Sequence, residues 1–439
     1  METPQRAAMS SRRTFRLGFP RFPTLFIPCL RRIHRCRLQE IFRLRNIFRY
    51  GTSLATPSMT GPPGDGMTWE DIDMTLDGRV LRERLDRLVQ GMTQLSHDGR
   101  YNEPNLDGTA GDYISFNAWE WPQGIGLYGL TRLWMFNRDP ALKMLIERWF
   151  EGRIASGLPK LNINTTAPML PLSLLWRETG DERWRVELDA WANRVLAEMP
   201  RTPEGGIPHI VSDKINDREL WDDTLVMVGL FLASYGQTSG RRELVDEACH
   251  QFLLHARYLA DTKTGLWFHG WTFDGRHNFA RALWGRGNSW ITLGILDLIE
   301  IADIPAPVRT FLIGVLEAQI ETLLKLQAPS GAWHTLLDDP TSYEEISATA
   351  GFGYGLMKAA RLGIGPAGCR EAGLRALGAV IANIDDNGTV ANVSYGTRMG
   401  HDLQFYKDIP IEPTGYGQAL AILCLTEALA HVGAEAEAA

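Results

Sequence analysis

Trp284-Gly285-Arg286-Gly287-Asn288-Ser289-Trp290-Ile291-Thr292-Leu293-Gly294-Ile295-Leu296-Asp297-Leu298-Ile299-Glu300-Ile301 joins two kinds of sequence in one run. The first part is small, polar and aromatic, with an Arg held between two Gly and two Trp. The second part, residues 290–301, is apolar on nearly every face of a helix, and a helix without a polar face belongs inside a protein. The same pairing recurs along the chain. Gln123, Pro168, Thr224, Asn288, Thr349 and Gln418 each stand near the start of such a helix, at intervals of 45, 56, 64, 61 and 69 residues. The apolar helices fall at 125–134, 168–176, 225–235, 290–301, 348–362 and 417–431. Between them lie amphipathic helices at 142–150, 184–196, 242–259, 308–326 and 370–384, and no period-2 pattern persists. Six helical hairpins with apolar helices inside and amphipathic ones outside predict an all-α, (α/α)6 barrel. An open solenoid is the alternative, and the rich loop ahead of every inner helix favours closure around a pocket.

Composition agrees with a large globular body: 439 residues, 44% hydrophobic, 22% charged, with 14 Trp. The formal charge of −7 conceals an uneven distribution. Residues 1–60 carry twelve Arg and no Lys against Glu2 and Glu40, a net +10, which leaves −17 for the rest. An acidic body without a basic stripe excludes nucleic acid as the expected partner. The stretch 22–30 is too short to span a bilayer, so no membrane partner is expected, and nothing requires a protein partner. Pro20, Pro23 and Pro28 break the Arg-rich segment, so residues 1–66 read as an extension: an organellar transit peptide, a tail, or sequence ahead of a true start at Met67. Residues 67–435 are read as one catalytic domain, expected in the cytoplasm. Five widely spaced Cys, without CxxC or a His at zinc spacing, argue against a disulfide framework or structural zinc.

In an alternating toroid all six pre-helix loops fall at one mouth. They bring Trp119, Glu120, Trp121 and Gln123; Asn162 and Asn164; Trp221, Asp222 and Asp223; Arg286 and Trp290; Glu345 and Ser347; and Tyr416. Aromatic rings, amides, carboxylates and one Arg are what a sugar site requires. Each has a plainer reading. Asp222 or Asp223 could simply cap the helix that follows, as could Asn164 or Ser347, and Trp is often core. Arg286 is harder to place on a solvated face and is better suited to a carboxylate.

The segments Gln123-Gly-Ile-Gly-Leu-Tyr-Gly129, Asn162-Ile-Asn-Thr-Thr-Ala-Pro168, Leu220-Trp-Asp-Asp-Thr-Leu-Val-Met227, His269-Gly-Trp271, Trp284-Gly-Arg-Gly-Asn-Ser-Trp290 and Glu345-Ile-Ser-Ala-Thr-Ala350, in this order, resemble glycoside hydrolase family 105. These are the unsaturated rhamnogalacturonyl hydrolases, with the family 88 unsaturated glucuronyl hydrolases as more distant relatives. The likeness runs from about residue 110 to 430 and implies the same (α/α)6 barrel. It implies that Asp223, in the family's Trp-x-Asp, is the catalytic acid, and that the cavity His and the Arg-x-x-x-Trp pair fall on His269, Arg286 and Trp290. Ser289 stands where the family has Gly, and the segment after His209 is longer than usual.

The resemblance also implies the chemistry: hydration of the C4=C5 enol ether in a terminal unsaturated uronic acid, from pectin-type oligosaccharides made by lyases. Asp223 would serve as acid and then base, protonated in a dry site, with Trp119, Trp121, Gln123, Asn162, Asn164, His209, Trp221, His269, Arg286, Trp290, Glu345 and Ser347 binding substrate. No cofactor and no metal is expected. The rivals are a two-carboxylate glycosidase or lyase pairing Asp223 with Glu344, Glu345 or Asp112, and a sugar-binding protein or epimerase without this activity.

Overall fold

A computed structural model describes residues 77–101 and 104–438, with side chains as far as Val432, so the Arg-rich extension lies outside the described residues. Twelve helices of ten residues or more stand among the described residues. They are α1 (Gly78–Thr93), α2 (Trp121–Asn137), α3 (Pro140–Ala155), α4 (Met169–Thr179), α5 (Arg185–Glu198), α6 (Leu230–Ser239), α7 (Arg242–Leu259), α8 (Gly285–Ile301), α9 (Ala306–Leu326), α10 (Ile346–Leu362), α11 (Cys369–Ala382) and α12 (Gly415–Ala438).

Local sequence explains where these helices start and stop. The side chains of Asp77 and Asp139 accept from the amides of Arg79 and Ala141, each at 2.8 Å, and so cap α1 and α3. Gly180 and Gly240 end α4 and α6 with φ of 65° and 75°, a left-handed turn that favours Gly. Burial then sorts the helices into two layers. Thirteen of the seventeen residues of α2 are buried, against five of the twenty-one of α9. Each even-numbered helix packs on the even-numbered helices before and after it, and α12 packs on α2, which closes an inner ring of six. Helices α3, α5, α7, α9 and α11 each back the inner helix that precedes them. The result is an (α/α)6 toroid.

The sixth outer helix comes from the other end of the chain. Helix α1 backs α12, and the Gln418 side chain donates to the carbonyls of Leu88 at 3.2 Å and Gly388 at 2.7 Å. Inner helices approach one another through small residues. A Cβ on Gly129 would lie 2.8 Å from Ala419 Cα, and one on Gly351 would lie 2.7 Å from Ser289 Oγ. Ser289 is therefore tolerated because the facing helix offers a Gly.

Two features were not visible as periodicity. Strands β1 (Glu219–Trp221) and β2 (Gly270–Thr272) pair antiparallel, with Leu220 opposite Trp271, but three residues are too few to show alternation. A π-helical turn, Leu225–Gly229, follows Asp223 and leads into α6. Such turns recur at functional sites. No described helix is long and apolar enough to cross a membrane, and Cys249, Cys369 and Cys424 are buried and unpaired.

Candidate active site

The β1 strand ends at Trp221, so Asp222 and Asp223 sit where the strand turns into the third inner helix. Asp222 is fully buried and Asp223 nearly so, and only the latter side chain keeps some exposure, 9%. His269 arrives from the residue before β2, with Nε2 3.5 Å from Asp223 Oδ2. Both oxygens of Asp222, Oδ2 of Asp223 and Nε2 of His269 are buried without a hydrogen-bond partner. One donor atom from each of the three residues lies within 4.8 Å of the other two. A set of this kind holds a shared proton, and its donors could equally hold a cation.

Electrostatics places the proton. Burial, and then the neighbouring Asp223 charge, hold the Asp222 carboxyl well above the usual carboxylate range. Burial acts upward on Asp223 too, but His269 and then His209 outweigh it and keep it below that range. The two carboxyls are thus unequal, and Asp222 is the one that burial drives toward its protonated form. Burial lowers His269 and pushes His209 down to about 3, so both rings are neutral at neutral pH.

Rings continue outward from this pair as an arc. His209 stacks on Trp221 at 4.3 Å and contacts Thr224 Oγ1 through Nδ1 at 2.9 Å. Trp221 meets the edge of His269 at 5.2 Å, and His269 lies 4.3 Å from Trp284. The Arg286 guanidinium sits over Trp284 at 4.6 Å and over Tyr416 at 4.8 Å, and Tyr416 stacks on Trp121 at 4.5 Å. Four of the six pre-helix segments thereby meet at one mouth.

Arg286 itself has no exposed side-chain surface. It donates to the carbonyls of Ser394 at 2.8 Å and Tyr395 at 3.1 Å, to Ser394 Oγ, and to Thr397 Oγ1 at 2.7 Å, with Glu345 3.8 Å away. Glu345 accepts from the amides of Ala348 and Ser394 and from Ser347 Oγ. Arg286, Glu345 and Ser347 therefore hold the loop beginning at Ser394, while Arg286 Nε is buried without a hydrogen-bond partner. Trp290 is also internal, 1% exposed in the core. Sequence spacing locates such residues but does not say which way they point.

A third group lies beside a groove of about 270 Å3. Asn162 forms a reciprocal cap with Thr165 and donates to Ser212 Oγ at 3.1 Å. Ser212 in turn donates to Glu120, with Asn164 buried alongside. Trp119 donates to the Thr165 carbonyl at 2.9 Å and stacks on Trp149, while Gln123 holds the Ser115 carbonyl at 2.8 Å. Burial pushes Glu120 up to about 7. Of the candidates, His209, Trp221 and His269 surround Asp223, Trp121 ends the arc, Trp290 lies in the core, and Trp119, Gln123, Asn162, Arg286, Glu345 and Ser347 make hydrogen bonds within the loops. Tyr406, Glu120 and Ser212 were not singled out as site residues. Glu120 stood in the quoted loops, but nothing local marked Tyr406 or Ser212.

The two-carboxylate arrangement loses its partners here. Asp112 accepts from the amides of Ile114 and Ser115, Glu344 accepts from Ser330 Oγ at 2.7 Å, and Glu345 is committed to the Arg286 cluster.

A helical toroid with a carboxyl pair inside an aromatic mouth defines a six-hairpin glycosidase. The chain matches the model described as Glycosyl Hydrolase Family 88 over residues 100–432, and it belongs to that family, on the side shared with the related family 105. It is 31% identical over 315 residues to the unsaturated rhamnogalacturonyl hydrolase YesR of Bacillus subtilis, covering 71% of this chain and 90% of that protein. A structure from Salmonella enterica described as a possible member of the GH105 family is 42% identical with a TM-score of 0.79, covering 81% of this chain and 94% of the other. A similarly described structure from Klebsiella pneumoniae is 41% identical with a TM-score of 0.79, covering 88% and 100%.

Proposed function

We propose that this chain removes a terminal 4,5-unsaturated uronic acid from lyase-generated, pectin-type oligosaccharides by hydrating the C4=C5 double bond. The observation that carries this reading is the buried Asp222–Asp223 pair with the other candidate carboxylates engaged elsewhere. Displacement at a glycosidic carbon needs two carboxyls on opposite sides of the bond, whereas hydration needs one that serves twice. The similarity to YesR supports the substrate class.

Asp223 is the member of the pair with an open edge, so it faces the substrate and draws on the proton the pair shares. The uronate carboxylate adds negative charge to a dry site, which disfavours ionisation of the pair and keeps the proton available. Asp223 delivers that proton to C4, leaving positive charge shared between C5 and the ring oxygen. Water adds to C5 and returns a proton to Asp223. The resulting hemiketal opens and the sugar separates from its aglycone. Among the described residues Cys249, Cys369 and Cys424 are unpaired, which fits a reducing compartment, and a cytoplasmic site of action is part of the proposal.

Purified protein should abolish the ultraviolet absorbance of lyase-made oligosaccharides and leave saturated ones intact. Exhaustive dialysis against a chelator should not change the rate. Release of reducing sugar from saturated oligomers at a comparable rate would overturn the hydration reading.

A further inference from the structure

Tyr406 lies on a short helix, Leu403–Lys407, within the excursion between α11 and α12, and is 137 positions from His269. Its ring is fully buried, and its hydroxyl is 2.8 Å from His269 Nδ1. Two other groups reach that oxygen. The Gly400 amide donates to it at 3.2 Å, and Met399 Sδ lies 3.7 Å away. The amide occupies one lone pair of the phenol, so the phenol proton goes either to the imidazole nitrogen or to the thioether. A thioether is a weak acceptor and 3.7 Å is long, whereas an aromatic nitrogen at 2.8 Å is a strong one. The proton therefore points at Nδ1, which must be the unprotonated nitrogen.

The far side of the ring leads to the same answer independently. His269 Nε2 faces Asp223 Oδ2 at 3.5 Å, with Asp222 adjoining and Arg286 behind. A lone pair on Nε2 would oppose a carboxylate oxygen in a buried site, and an N–H there attracts it. Rotation is blocked because the ring is held between Trp221 and Trp284.

We propose that Tyr406 is a positioning residue that fixes His269 as the Nε2–H tautomer, aimed at Asp223 Oδ2. Asp223 is thereby turned so that its other oxygen handles the reacting proton. The N–H also stabilises the carboxylate left once that proton has gone to substrate. The catalytic consequence rests on Asp223 as proton donor; the tautomer does not.

The test is nitrogen NMR of the full chain labelled at histidine, with His269 assigned by comparison with His269→Gln. The wild type should show a protonated Nε2 and a bare, hydrogen-bonded Nδ1. A ring protonated at Nδ1 overturns the proposal whether or not any oligosaccharide is turned over. Tyr406→Phe should then give mixed tautomers, with kcat reduced about tenfold or more and KM changed little. A folded Tyr406→Phe with wild-type kcat and an unchanged tautomer also overturns it. If that variant does not fold, the wild-type spectrum alone decides.

Discussion

Asn keeps the size of Asp and can still cap a helix, so exchanging Asp222 or Asp223 for Asn removes a carboxyl and leaves the local backbone in place. Asp223→Asn should therefore fold normally and lose at least about 100-fold in kcat, the lower range for a general acid-base group. Asp222→Asn should lose much less and change the pH profile. Asp222 is a like charge in waiting beside Asp223, and a like charge raises the pH at which the last shared proton leaves. Without it, the alkaline limb of the profile should move to lower pH. Steady-state rates across a buffer series would show this, and an unmoved limb would mean that the two carboxyls do not share a proton.

The element that presents Asp222 is shaped by its neighbour α8. A Cβ on Gly287 would stand 2.1 Å from Asp222 Oδ2, a separation that no real pair of atoms keeps. Gly287→Ala should cost about 1–3 kcal/mol by thermal or urea unfolding and should impair turnover, because Asp222 must move. Gly314, on α9, has nothing within 4 Å of its Cβ position, and Gly314→Ala should be neutral or stabilising. The start of α2 makes a different prediction. Glu120 is a buried carboxyl raised from 4.5 to about 7, so the folded state keeps a proton that the unfolded chain releases. Stability from this group is complete below about pH 4.5 and is lost as pH rises to about 7, on the order of 3 kcal/mol in all. Glu120→Gln should flatten urea midpoints across that window. A curve as steep as the wild type's would remove Glu120 as the cause.

At the scale of the molecule, α1 supplies the outer wall for α12 where the inner ring closes. A chain beginning at Met67 keeps that wall and should melt like the full chain with full activity. A chain beginning after Thr93 loses Leu81, Leu85, Leu88 and Met92 from the core and should be insoluble or lack a cooperative transition. Equal thermal stability of the two truncations would show that α1 is dispensable. Insolubility of the Met67 chain would show that the extension is needed.

The inner helices were legible because a helix buried on every side can carry no polar face, and that lack is written residue by residue in runs such as 290–301. The pocket loops were legible for a related reason: Trp, Arg, Asn and paired Asp ahead of an apolar run have little local structural use. What a side chain faces is different, because it depends on elements far away in the chain. Arg286 read as a ligand for a substrate carboxylate, and it became an anchor because Ser394, Tyr395 and Thr397 fold back onto it. Tyr406 reaches His269 across 137 positions, and α1 meets α12 from the opposite end of the chain. The inequality of the two carboxyls is likewise a matter of tertiary structure. Two adjacent Asp have the same intrinsic acidity, and only the packing that strips water and partners from Asp222 while turning His269 toward Asp223 makes them unequal.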